Sequence, residues 1–71
     1  MARKVVLYDS EENKLCQFWN CTIDICKSHT TIHKSNDGNI VVFPLAMERF
    51  EFRNHKSMVT YESGHFIVII P

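Results

Sequence analysis

Four residues in one short stretch, Cys21, Cys26, His29 and His33, carry the thiol and imidazole groups from which closed tetrahedral zinc sites are made. Their spacing, C-x4-C-x2-H-x3-H, lacks the C-x2-C knuckle of zinc ribbons and the long loop that precedes the histidines of zinc fingers. On one extended strand Cys21 and Cys26 would also face opposite sides. The expectation is no metal and no other cofactor. The cysteines then act as small half-buried hydrophobes, and the histidines face water.

Nucleophilic catalysis is the next chemistry these residue types allow. Cys26 with His29, or Cys16 with any histidine, has the groups of a thiolate–imidazolium pair. No orienting Asn or Asp and no glycine-rich oxyanion turn accompanies them. Glu48 and Glu51 are carboxylates three positions apart, which reads as a solvated face. A β domain of 71 residues also leaves little interior for a substrate pocket. The sequence predicts a protein that is not an enzyme.

Binding chemistry is better represented. Phe18 and Trp19 are adjacent, so on a strand only one of them can face the core. With Lys14, Lys27 and Lys34, Trp19 is the kind of stacking aromatic that small barrels offer to single-stranded nucleic acid. Against that, eight Lys and Arg balance eight Asp and Glu, so no long-range attraction to phosphate exists. Nucleic-acid binding is the second choice.

The first choice comes from the run Phe66-Ile67-Val68-Ile69-Ile70, which is apolar at every position. A strand with one wet face alternates apolar and polar side chains. Here both faces need cover, and Ile67 and Ile69 become candidate partner-binding residues beside Phe18 and Trp19. The function expected is protein–protein binding, as a homodimer or as a regulator or inhibitor of a larger protein.

The elements that must position these residues are mostly period-two segments. Strands are expected over 3–8, 15–19, 21–27, 30–34, 40–43, 50–53, 58–62 and 66–70, with a possible break near Asn20. Ser35-Asn36-Asp37-Gly38-Asn39 is a hairpin turn, because Asn, Asp and Gly tolerate positive φ. Further turns are read at 54–56 and at Ser63-Gly64. Pro44 followed by Leu45, Ala46, Met47, Glu48 and Arg49 predicts one or two helical turns over 44–49. The fold class is thus mainly β: one domain over 1–71, a small curled antiparallel sheet, barrel or roll of five to seven short strands with one short helical turn. The expected core is Val5, Leu7, Ile23, Ile25, Ile40, Val42, Phe50, Phe52, Phe66, Val68 and Ile70. Three cysteines, an odd number, suit reduced thiols and a cytoplasmic setting. No run approaches the length of a membrane span, so no membrane partner is expected.

Overall fold

A computed structural model describes all 71 residues as an all-β protein. Seven strands run in chain order: β1 (Ala2–Tyr8), β2 (Lys14–Ile25), β3 (Thr30–Lys34), β4 (Ile40–Phe43), β5 (Met47–Arg53), β6 (Lys56–Tyr61) and β7 (Phe66–Ile70). They form one antiparallel sheet in the order β4-β3-β2-β1-β7-β6-β5. The sheet curls but does not close, which leaves β4 and β5 as its two edges.

β2 makes the curl possible. Its first half pairs with β1 and its last five residues pair with β3, with Cys21 shared between the two ladders. Between them Asn20 adopts φ 51°, a left-handed conformation that Asn tolerates better than most residues. Side-chain parity changes there with no residue added to the register, since Ala2 pairs with Cys21 and Lys4 with Trp19. Phe18 packs inward before it, and Cys21, Ile23 and Ile25 pack inward after it. The Asn20 carbonyl accepts from both the backbone N–H and the hydroxyl of Ser35, so the bend is tied to the end of β3.

The core lies on the concave side. Val5, Leu7, Cys21, Ile32, Phe43, Val59, Tyr61 and Ile67 are buried there. Each large side chain removed from water stabilises the fold by roughly 1.5–3 kcal/mol. Within this apolar interior, Tyr61 on β6 donates its hydroxyl to Thr30 Oγ1 on β3 at 2.7 Å. That bond joins strands on opposite sides of the curl and satisfies the two buried hydroxyls together.

The sequence expectation over 44–49 is corrected. No helix forms; Pro44-Leu45-Ala46 is a short connection and Met47 already begins β5. Helix propensity loses here because the backbone finds partners elsewhere. Leu45 N–H donates to Phe43, Met47 N–H to the Lys27 carbonyl, and Ala46 C=O accepts from Glu62.

The expected core is corrected in three strands. Ile40 and Val42 are exposed, because the inward residues of β4 are Val41 and Phe43. In β7 the buried residue is Ile67, with Ile69 beside it, and Phe66, Val68 and Ile70 lie on the convex side. Phe50 and Phe52 share the concave side with Val59 through their register, yet they are 50% and 67% exposed. The sheet stops at β5, so no further strand covers them.

Candidate functional site

The residues proposed from sequence for chemistry do not converge. Cys21 is buried whereas Cys26 is exposed. His33 Nε2 is 2.9 Å from Asp24 Oδ2, and His29 Nδ1 is 3.0 Å from the Ser28 hydroxyl. Cys21, Cys26, His29 and His33 therefore do not assemble into a ligand set, and no group of three metal-binding side chains is present. Burial raises the pKa of the Cys16 and Cys21 thiols, which keeps them protonated and weakly nucleophilic.

The four partner-binding residues expected from sequence are separated by the sheet. Ile67 is fully buried and is core. Ile69 and Phe18 pack against that core, and the Phe18 ring lies 6.2 Å from that of Phe43. Ile67 is thus corrected to an interior residue, while Phe18 and Ile69 are half-buried on the concave side, Ile69 also reaching the cleft beside β5. Trp19 alone stays open to solvent at 52%. Lys4 Nζ sits 4.8 Å from its ring centroid, so one face of the indole is already taken by a cation. Of the lysines, Lys34 pairs with Asp37 at 3.2 Å and Lys14 reaches Gln17 at 3.5 Å, while Lys27 lies in the β2–β3 connection.

The convex side does carry apolar residues. Met58, Val68 and Val6 stand in register across β6, β7 and β1, and Tyr8 stacks on Phe66 with centroids 4.9 Å apart. Val6 is only 4% exposed, while Tyr8, Met58, Phe66, Val68 and Ile70 are half-buried on this side.

The edge at β5 is different. β5 touches β6 and no other strand. The hairpin joining them turns at Asn54 and His55, both at positive φ, the geometry of a two-residue turn. Tyr61 N–H donates to His65, so the Tyr61 backbone faces β7 and that of its neighbour Thr60 faces β5. Thr60 and Met58 stand opposite Arg49 and Glu51, whose backbone groups therefore face β6. By alternation, the N–H and C=O groups of Phe50 and Phe52 point away from the sheet.

Beside this edge lies a cleft of about 310 Å³ on the concave side. Phe50 and Phe52 form one wall, Ile23 and Ile25 line the same cleft, and Ile69 and Ser57 contribute as well. The opposite, convex side of β5 is charged. Arg49 Nε lies 2.6 Å from Glu51 Oε1, and Arg53 lies 3.7 Å from Glu51 Oε2. An unpaired backbone row, an apolar wall beneath it and a charged rim above it thus coincide on one strand.

Sequence reasoning named Phe50 and Phe52 as core and missed them as a site. The signal was available: Phe50-Glu51-Phe52-Arg53 alternates cleanly, unlike Phe66–Ile70, but only topology reveals that β5 is an edge. No helix is long and apolar enough to cross a membrane. No family model, curated protein or solved structure matches the chain.

Proposed function

We propose that this protein is a non-enzymatic binding module that acts by taking an extended segment of a partner protein along β5. Strand addition needs a row of free backbone donors and acceptors for affinity and pockets for alternate side chains for specificity. The observation that carries the reading is their coincidence at Phe50 and Phe52: both lie on a free edge, and both side chains line the 310 Å³ cleft. A seated strand would complete the ladder of β5 and fill the gap before Ile23 and Ile25. Regulation or inhibition of a larger protein follows if the captured segment is one that the partner needs elsewhere.

Nothing observed favours the nucleic-acid alternative. The three free cysteines support a reducing, cytoplasmic setting. The test is co-purification from cell extract with wild-type protein and with Phe52→Asp. The expected result is a partner that wild type retains, the variant loses, and that slows hydrogen exchange at the Phe50 and Phe52 amides. A partner retained equally by both, with no change at those amides, would contradict the reading.

A further inference from the structure

We infer that the segment received by β5 alternates apolar residues with carboxylates, the carboxylates standing opposite Arg49 and Arg53. The inference rests on the strand-addition reading above and adds the chemistry of the partner to it.

Residues opposite one another in a ladder point to the same side of the sheet. The inward positions of an added strand would therefore enter the cleft lined by Phe50, Phe52, Ile23 and Ile25, and apolar side chains suit that lining. The outward positions would stand beside Arg49, Glu51 and Arg53. On this side of β5 and β6 stand Arg49, Glu51, Arg53 and Lys56, with Glu48 beside Arg49 in the irregularity between Met47 and Arg49, three cations against two anions. Glu51 lies between the two arginines and is in contact with both, which partly neutralises its charge toward a partner. The Arg49 and Arg53 side chains are 61% and 80% exposed and keep donors to spare. Carboxylates opposite the arginines and a small neutral residue opposite Glu51 meet these demands. A second copy of β5 paired antiparallel about Phe50 or Phe52 would set its Glu51 against only one arginine of each strand, so a foreign segment with a carboxylate opposite each arginine meets the rim more fully.

The probes are three synthetic peptides of seven residues, the length of β5, whose central serine is set opposite Glu51. They are Val-Glu-Val-Ser-Val-Glu-Val, its counterpart with Lys for Glu, and its counterpart with Ser for Glu. Binding to the full chain is followed by amide chemical shifts and affinity at low salt. The glutamate peptide is expected to bind about fivefold to tenfold more tightly than the lysine peptide, given roughly 0.2–1 kcal/mol for each cross-strand charge pair. Its shifts should centre on Phe50 and Phe52, and Arg53→Glu should remove the preference. Equal binding of all three peptides, abolished by Phe52→Asp, would overturn the charge rule and leave strand addition standing. No binding by any peptide, with Phe50 and Phe52 unshifted, would overturn both. A dimer of this chain that Phe52→Asp dissolves would assign the edge to a second copy and overturn the foreign-segment inference.

Discussion

β4 and β5 end the same sheet and each leaves two large apolar residues exposed, yet they are different kinds of edge. On β4 the exposed residues are Ile40 and Val42, on the convex side, while Phe43 is buried against Phe18. On β5 the exposed residues are Phe50 and Phe52, on the concave side, beside a cleft that Ile23 and Ile25 also line. Exposed apolar side chains with no second wall give a partner one surface to touch. Two walls and a free backbone row give it a slot. Edge strands are usually blunted by charge, shortness or cover. β4 is blunted by its four residues and the proline that follows, and β5, at seven residues, by charge on one side only.

The largest expected contrast is in stability. Phe43→Ala on β4 should cost about 3–5 kcal/mol, because it opens a cavity beside Phe18. Phe52→Ala on β5 should stay within about 0.5 kcal/mol of wild type, as an exposed substitution does. Urea unfolding of the two variants checks this. Equal losses would mean that Phe52 is core and that the cleft is not open.

Proline sharpens the contrast within β5 itself. Glu51→Pro removes a ladder donor to β6 and should cost at least about 1–3 kcal/mol. Phe50→Pro removes an N–H that faces outward and should cost less, since edge strands accept proline there, while still abolishing strand addition. Thermal melts paired with peptide titration separate the two effects.

Tyr61→Phe probes what holds the closed side of the curl while the β5 side stays open. It leaves Thr30 Oγ1 without its buried donor and should cost about 1–3 kcal/mol. Desolvation, partly offset by the Thr30 bond, raises the Tyr61 pKa, so the phenol stays protonated well into the alkaline range. Hydrogen exchange in this variant should quicken in β3 and β6 together.

The smallest effect is acid loosening of the β3–β4 hairpin. The pKa of Asp37 lies below 3.8, chiefly because its carboxylate accepts the Asn39 backbone N–H, with Lys34 adding to the effect. A lowered folded-state value means that this contribution is present above pH 3.8 and is lost as pH falls through the lowered value. Asp9 behaves alike in the β1–β2 loop, where it accepts from Asn13 and Glu11. Amide exchange near Gly38 should therefore rise in acid before that in the β5–β6 hairpin, whose turn residues Asn54 and His55 have no comparable carboxylate. Asp37→Asn should remove the difference.

Much of the architecture was legible in single residues. Asp37-Gly38 marked the β3–β4 turn, and Gly38 takes φ 73° there. Ser63-Gly64 marked the β6–β7 turn; Gly64 takes φ 94°, and a Cβ on it would lie 2.9 Å from that of Ser10. Phe66–Ile70 was bounded correctly as a strand with two apolar faces. What sequence did not reveal was partnership. The 44–49 segment has helical propensity, but its N–H and C=O groups are claimed by Lys27 and Glu62, which are remote in sequence. The left-handed Asn20 reverses parity within β2, so a simple alternation through Phe18, Trp19 and Cys21 misplaces the second half. Phe50 and Phe52 were legible as a strand and illegible as an edge, because edges are a property of strand order.

The central claim is that Phe50 and Phe52 form a free edge that receives another strand. Residue-resolved hydrogen exchange across β5, with and without the Val-Glu-Val-Ser-Val-Glu-Val peptide, tests it most directly. The account predicts fast exchange at Phe50 and Phe52 and slow exchange at Arg49 and Glu51 in the free protein. It also predicts that the peptide slows Phe50 and Phe52 alone. Uniform protection along β5 in the free protein, unchanged by peptide, would contradict it.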